Sequence, residues 1–361
     1  MVSREWFPMT QQRLYAGVDG GATKTWAVVG DETGRLLGFG VGGPANYHVV
    51  GLEPALRSAT TALAAAVAVA TGTPPSSAAP PALSILTRVA FYLAGDDSRE
   101  DHGTIGEALG RALPAGLARQ WDNDCWAALR GGTEKTWGAV CIGGSGTNSA
   151  AIGPDGRRAI LRGLGWESGN PGGSSDIARQ AMIQAFRMDE GMRSRTHLHG
   201  AILEALDLPD YDAVVREHAG GGLAFAYLIM AVVTPLVFRL ADEGDEAAQE
   251  VLIEMGRYMG EQTGAVLVRS GIEGLEADVV LAGSAYRGRS PLLIDSLTLS
   301  LHRFAPRARP RLPRHHPVVG AYLLALEGSG VTVGADSYAN LERTAPGLLP
   351  EPGPVVVGGV E

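Results

Sequence analysis

A chain of 361 residues, 45% hydrophobic with a mean hydropathy of +0.05, has room for two domains that each bury a core, and its 50 glycines predict a structure rich in tight turns. The net charge of -9 and a pI near 5.4 argue against nucleic acid or an anionic membrane as partner, so any bound phosphate must be met by local dipoles, a lysine and a metal. Two cysteines, Cys125 and Cys141, are too few for a disulfide scaffold or an all-cysteine metal site and read as small buried residues. Residues 1–13 carry Arg4, Glu5 and Pro8 and lack the apolar run of a signal peptide. The Ala-rich segment from Ala59 to Ala70 is interrupted by Thr60 and Thr61 and is too short to span a bilayer, so a cytoplasmic protein is expected.

The first informative stretch is Ala16-Gly17-Val18-Asp19-Gly20-Gly21-Ala22-Thr23-Lys24-Thr25, followed by the apolar Trp26 to Val29. It reads as strand, glycine turn and second strand. Glycines admit backbone N–H groups to an anion with no Cβ in the way, while Thr23, Lys24 and Thr25 add donors and charge. Asp19 cannot itself favour phosphate, so its expected role is to hold a hydrated Mg2+. A plain glycine hairpin fits the same residues. Asp31-Glu32-Thr33-Gly34 turns into a third strand ending near Val41, and Asn46 in the next loop could read a sugar hydroxyl or cap a turn.

Leu52 to Thr71 is an Ala-rich amphipathic helix, followed by a Pro- and Ser-rich surface stretch over residues 74–81. Leu83 to Leu93 reads as a buried strand opening into Ala94-Gly95-Asp96-Asp97, Glu100 to Leu113 as a helix, Leu117 to Trp121 as a strand and Asp124 to Arg130 as a helix. Strands alternating with helices predict a mixed or parallel sheet, whose sites lie beyond the carboxyl ends of the strands. Asp122-Asn123-Asp124 stands at such an end and equally suits a helix cap.

From Thr136 the pattern returns: a strand from Trp137 to Ile142, the glycine turn Gly143-Gly144-Ser145-Gly146-Thr147, and a strand from Asn148 to Ile152. Two strand, glycine turn and strand units, each heading half of the chain, predict two related lobes. A third glycine loop, Gly163 to Ser174, leads into a helix from Asp176 to Met188, and long helices are expected at Ala224 to Asp242 and Glu246 to Ser270. Asp278 to Leu281 reads as a strand, Ala282-Gly283-Ser284 as a turn on which adenine or ribose could lie or as a structural joint, Pro291 to Phe304 as a helix and Pro317 to Glu327 as another. The tail after Leu341 is expected to pack loosely.

Taken together these segments resemble the N-acetylglucosamine kinase and BadF/BadG-type ATPase family, within the actin, hexokinase and heat-shock chaperone superfamily. The likeness runs from about Tyr15 to Glu327 and rests on Asp19 to Thr25, Asn123-Asp124-Cys125-Trp126-Ala127-Ala128, Gly143 to Ser149, Val280-Leu281-Ala282-Gly283-Ser284 and Pro317 to Ala321, in that order. It implies an α/β, two-lobed ribonuclease H-like (actin-like ATPase) fold, with one lobe over residues 13–122 completed by the helix 317–333 and the other over 123–316. It further implies an ATP-dependent kinase that closes on Mg-ATP and a sugar or amino sugar.

By the same resemblance Asp124 accepts the proton of the attacking hydroxyl and Asp19 positions Mg2+. Gly20, Gly21, Thr23, Lys24, Thr25, Gly144, Ser145, Gly146, Thr147, Gly283 and Ser284 hold ATP, while Asn46, Asp96, Asp97, Asn123, Gly169 and Asn170 hold the sugar. A homodimer is expected by analogy.

One departure stands out: where such kinases carry Gly-Asp-Glu-Gly-Ser, this chain has Gly169-Asn170-Pro171-Gly172-Gly173. Asn170 loses the negative charge, and Pro171 loses charge and an N–H donor, which bears on the substrate more than on the fold. Two alternatives follow: a sugar-binding regulator with little catalysis, and an ATPase that activates a reductase or dehydratase. The second would need cysteines placed to share an iron-sulfur cluster between subunits, which Cys125 and Cys141 are poorly placed to do.

Overall fold

The computed structural model describes residues 13–73, 82–288 and 290–350; the Pro- and Ser-rich stretch 74–81 lies outside them. The chain divides into two compact units, residues 13–122 with 321–350, and residues 123–320.

The first unit holds a five-stranded sheet of β1 (Leu14–Gly20), β2 (Thr25–Asp31), β3 (Leu36–Gly42), β4 (Leu86–Leu93) and β5 (Ala118–Asn123), in the order β3-β2-β1-β4-β5. β1, β2 and β3 form an antiparallel meander, and β4 returns parallel to β1 after the helix Leu52–Thr71. The second unit repeats the plan with β6 (Gly138–Gly143), β7 (Thr147–Ile152), β8 (Arg158–Ile160), β9 (Asp278–Ala282) and β10 (Arg309–Arg311), in the order β10-β9-β6-β7-β8. Again the first three strands are an antiparallel meander and the fourth runs parallel to the first. The repeat seen in the glycine turns is therefore a repeat of whole sheet topology, α/β in class.

In the first unit the close approach of sheet and helix follows from small residues. Gly38, Gly40 and Gly42 alternate along β3, so all three present the same face. A Cβ on Gly40 would overlap the Ala62 carbonyl oxygen, and those on Gly38 and Gly42 would overlap the carbonyls of Ala66 and Ser58. Ser58, Ala62 and Ala66 recur every four residues along Leu52–Thr71, which turns one helical stripe toward the strand. Leu56, Leu63 and Val67 fill the remaining space beside Val29, Phe91 and Leu109. Gly72, at φ +65°, ends the helix in the left-handed conformation.

The second unit's core is larger, joining the helices Ser174–Asp189, His197–Leu206, Glu246–Ser270 and Leu292–Leu301 to β6, β7 and β9. Tyr211–Asp242 is the one described helix long and apolar enough to cross a membrane. Gly222, at φ +51° and ψ -135°, breaks it, and Val233, Val237 and Leu240 beyond the break are fully buried in the core of this unit. The break explains why the sequence pattern was legible from Ala224 onward and silent before it.

The strands β8 and β10 have only three residues each, too short for a period to show in the sequence. The loose packing expected after Leu341 changes within the described residues: the helix Ala335–Thr344 runs past Leu341, which is fully buried, and Leu349 is 8% exposed, while residues 351–361 lie outside the described residues.

Asp278, at the start of β9, ties three segments together. Its carboxylate accepts from Thr133 Oγ1 at 2.6 Å, Lys135 Nζ at 3.1 Å and Arg311 Nη1 at 2.7 Å. Burial alone would raise its pKa, but these three partners outweigh burial and hold it below the usual carboxylate range.

Gly40→Ala is expected to cost about 2 kcal/mol or more by overpacking, read from urea unfolding. Asp278 has a folded pKa below its unfolded value, so its stabilisation is present above about pH 4 and fades as the pH falls. Asp278→Asn will therefore unfold at lower urea than the parent at pH 7, and the two will converge as the pH approaches 3.

Candidate active site

In the first unit the predicted phosphate hairpin is the tip of β1 and β2. Gly20 pairs with Thr25, and the four-residue connection is closed by Gly21 N–H donating to the Lys24 carbonyl at 3.0 Å. The tip is held on both sides: Ala94 N–H donates to the Gly20 carbonyl at 2.8 Å, and Ala45 N–H to the Gly21 carbonyl at 2.9 Å. Those bonds bring the end of β4 and the loop before Asn46 to the hairpin. A Cβ on Gly20 would lie 2.8 Å from the Ala45 Cβ, so only glycine admits this junction.

Thr23 and Lys24 are exposed at the tip, with Lys24 Nζ 4.0 Å from the centre of the Trp26 ring. Thr25 turns its side chain inward. It is fully buried, and its hydroxyl donates to the Gly43 carbonyl at 2.7 Å, so it fastens the loop and has no proton to offer a phosphate.

Asp19 is the penultimate residue of β1 beside this tip, opposite Trp26 on one side and Tyr92 on the other. Loss of hydration pushes its carboxyl from the ordinary 3.8 up to about 7, with Lys24 pulling only partly back. Such a carboxylate is short of positive charge.

Around Asn46 the structure separates the two ends of one amide. Its Oδ1 accepts from His48 N–H at 3.1 Å, capping the short helix Tyr47–Val50, which leaves Nδ2 as the end open to a ligand. Asp96 and Asp97 also diverge. Asp96 is 7% exposed, its Oδ2 lying 3.0 Å from His102 Nδ1, and burial raises its pKa against the pull of that histidine. Asp97 is exposed, and its N–H donates to Asp101.

In the second unit three glycine segments pack backbone against backbone. The connection between β6 and β7 closes with Gly144 N–H donating to the Gly146 carbonyl at 2.9 Å. Gly283, at φ +115°, lies so near that a Cβ there would overlap the Gly143 carbonyl, and a Cβ on Gly173 would lie 2.5 Å from the Gly146 carbonyl oxygen. The start of the helix Ser174–Asp189 clasps the same turn: Ser174 N–H donates to Gly144 O at 2.8 Å, while Ser175 N–H and Oγ both donate to Ser145 O. Gly144, Ser145, Gly146, Gly283 and Ser284 are thus brought to one place. Thr147 repeats the behaviour of Thr25. It is 7% exposed and donates its hydroxyl to Ile142 O at 2.8 Å, which closes the hairpin.

Asp124 opens the helix Asp124–Gly132 and is partly exposed at its first turn, where the helix dipole favours a carboxylate. Asn123 is 2% exposed and its Oδ1 accepts from Cys125 N–H at 3.0 Å. It caps the helix, the alternative that its position after β5 equally suits. Trp126 is stacked beneath the Arg158 guanidinium at 3.7 Å. Cys125 and Cys141 are fully buried, and among the described residues no group of three or more His, Cys, Asp or Glu is arranged to hold a metal.

The loop that departs from the kinase pattern is organised from within. Asn170 Nδ2 donates to Arg162 O and Ser168 Oγ at 3.3 and 3.1 Å, so its Oδ1 is the end left for a ligand, while Gly169 sits at φ +73°. Gln262 Nε2 donates to Pro171 O at 2.7 Å, and Asp176 Oδ2 accepts from the N–H groups of Gly172 and Gly173. Asp176 and Gln262 escaped the sequence reading because both sit inside helical patterns, although Asp three residues after Gly173 is a helix-start signature.

This repeated sheet plan with glycine hairpin tips is that of the actin-like ATPase superfamily, in its ribonuclease H-like form. The chain belongs to the BadF/BadG/BcrA/BcrD ATPase family, whose pattern matches residues 16–325. An N-acetyl-D-glucosamine kinase of Dictyostelium discoideum is 23% identical over 335 residues, covering 87% of this chain and 98% of its own. An N-acetylmuramic acid/N-acetylglucosamine kinase of Clostridium acetobutylicum is 25% identical over 232 residues, covering 64% and 74%. Among solved structures, a candidate N-acetylglucosamine kinase of Chromobacterium violaceum superimposes with a TM-score of 0.67 at 25% identity, covering 87% of this chain and 99% of that one. A ROK family glucokinase of Streptomyces griseus, in complex with glucose and AMPPNP, shares the fold with a TM-score of 0.56 at 18% identity, covering 87% and 100%.

The raised pKa of Asp19 has a measurable cost. The folded chain holds that proton between about pH 4 and 7, so stability falls as the pH rises through this interval. Without added metal, Asp19→Asn will melt above the parent at pH 8, and thermal melts of the two will converge toward pH 4.

Proposed function

We propose that the protein is an ATP-dependent kinase that phosphorylates a hydroxyl of a sugar or amino sugar. The observation that carries this reading is Asp124, a partly exposed carboxylate at a helix start immediately after β5, in a chain whose relatives are named as kinases of N-acetylated amino sugars. Phosphoryl transfer asks a protein for aligned oxygens and neutralised charge more than for covalent help.

In this reading Asp124 takes the proton from the acceptor hydroxyl as the oxygen attacks phosphorus. The backbone tips at Gly20-Gly21 and Gly144-Ser145-Gly146 receive phosphate, with Lys24 supplying positive charge, and Gly283 and Ser284 lie under the adenosine. Thr25 and Thr147 serve by holding those tips in shape. Asn46 donates through Nδ2 to a sugar oxygen, and Asn170 accepts through Oδ1 from a sugar hydroxyl or an amide N–H. Asp97, exposed where Asp96 is buried, is the better placed of that pair to meet a ligand.

A divalent cation fits Asp19, because a carboxylate whose pKa stands near 7 is one that a metal would discharge. Bound there, Mg2+ would neutralise phosphate oxygens; Asp19 would hold it and Lys24 would share the load. Asn170 and Pro171 bring no charge to that side, so contacts made there are neutral hydrogen bonds, and the identity of the sugar is a question for the substrate screen.

An ATP-consumption screen over hexoses, hexosamines and their N-acetylated forms tests the reading. Turnover is expected with at least one sugar, and Asp124→Asn should lower kcat on it by about 10²-fold or more with the protein still folded. A panel without sugar-dependent ADP release, together with an Asp124→Asn variant that behaves as the parent, would reject it.

A further inference from the structure

In the first unit one carboxylate joins two loops that lie far apart in the chain. Asp101 stands in the first turn of the helix Arg99–Ala112, where its backbone N–H donates to the N-cap Ser98 Oγ at 3.1 Å. In a capping box an acid at this position turns back to the N–H of the cap residue. Asp101 does otherwise. Its Oδ2 accepts from Asp97 N–H at 3.2 Å, and its Oδ1 accepts from the Tyr47 hydroxyl and lies 3.1 Å from His48 Nε2.

The side chain is 10% exposed, and the partners outweigh burial so that its pKa stays below the usual carboxylate value. The Tyr47 and His48 rings lie together, 4.1 Å between centres. Loops 46–48 and 95–97 therefore share a single anion. The neighbouring packing adds a second tie, since Gly95 sits at φ +93° with room for a Cβ only 2.8 Å from Asn46 Oδ1.

We infer that Asp101 is a positioning residue for the sugar side of this kinase. It touches no reacting atom. By holding Tyr47 and His48 it keeps the His48 N–H where Asn46 Oδ1 caps it, and so fixes which end of the Asn46 amide a ligand meets. With the clamp intact that position offers a donor to a sugar oxygen. With the clamp released, the Asn46 side chain is free to turn over and the Asp97 loop to drift, and sugar recognition loses its geometry while the nucleotide side is untouched. This role rests on the sugar-kinase reading above, and its test separates the two.

Asp101→Asn, which keeps the side-chain shape, and Tyr47→Phe, which removes one hydroxyl, are compared with the parent on the sugar found by the screen. KM for the sugar should rise about tenfold in Asp101→Asn and several-fold in Tyr47→Phe, with KM for ATP and kcat within about twofold. Amide hydrogen exchange over residues 45–50 and 94–98 should quicken in both. Should Asp101→Asn fail to fold, Tyr47→Phe carries the comparison alone. A sugar KM within about twofold of the parent in the folded variants overturns the inference, as does a loss confined to melting temperature or to ATP binding. If the parent uses no sugar, the kinase reading fails and hydrogen exchange alone decides whether Asp101 clamps the two loops; unchanged exchange then overturns the clamp.

Discussion

The constraint on which the rest depends is the exclusion of Cβ atoms where backbone must lie on backbone. In the second unit Gly283 sits against Gly143, and Gly173 against Gly146, at separations no side chain would permit. In the first unit Gly20 is bare for a related reason, since the Leu93 and Ala45 side chains fill the place its Cβ would take. Once such tips are stripped of side chains, the polar surface that remains is peptide, and peptide N–H groups are the donors an anion needs. The carbonyls of the same turns are taken up by Ala45, Ala94, Ser174 and Ser175, so an acceptor that would repel phosphate is satisfied internally.

A second theme is division of labour between groups that look alike in sequence. Thr23 and Thr25 are two residues apart in one motif, yet one is exposed and the other has its hydroxyl committed to Gly43. Asp96 and Asp97 are adjacent, yet one is buried against His102 and the other faces out. Asn46 and Asn170 carry the same amide and present opposite ends of it. In each pair the partners within reach decide which atom a side chain commits and which it leaves.

The Asp19 carboxyl is held away from its ordinary ionisation. Burying an acid at a strand end beside a single lysine destabilises its ionised form, and the fold tolerates this because β1 is fixed on both flanks by β2 and β4. Asp278 is the counterexample within the same chain: three donors converge on it, its pKa falls, and it serves structure. The two aspartates thus shift in opposite directions, set by how many donors each one meets.

Much of the architecture was legible in the residues alone. Alternation and length marked β1 to β4 and β6, β7 and β9, and the helices Leu52–Thr71, Glu246–Ser270 and Pro317–Glu327 were read with their bounds, because apolar period and glycine punctuation are local properties. The repeated strand, turn and strand unit announced the repeated sheet. Local pattern did not reveal β8, β10 or the helix Ala335–Thr344, since short strands and a polar helix owe their state to what they pack against. Nor could it reveal that Thr25, Thr147 and Asn123 spend their polar atoms inward, or that Asp101 reaches back to Tyr47. Sequence determined which residue types stand at each turn and helix start; which atom of each is left for a ligand was decided by partners distant in the chain, because a hydrogen bond is allotted in space and spacing along the chain carries no record of it.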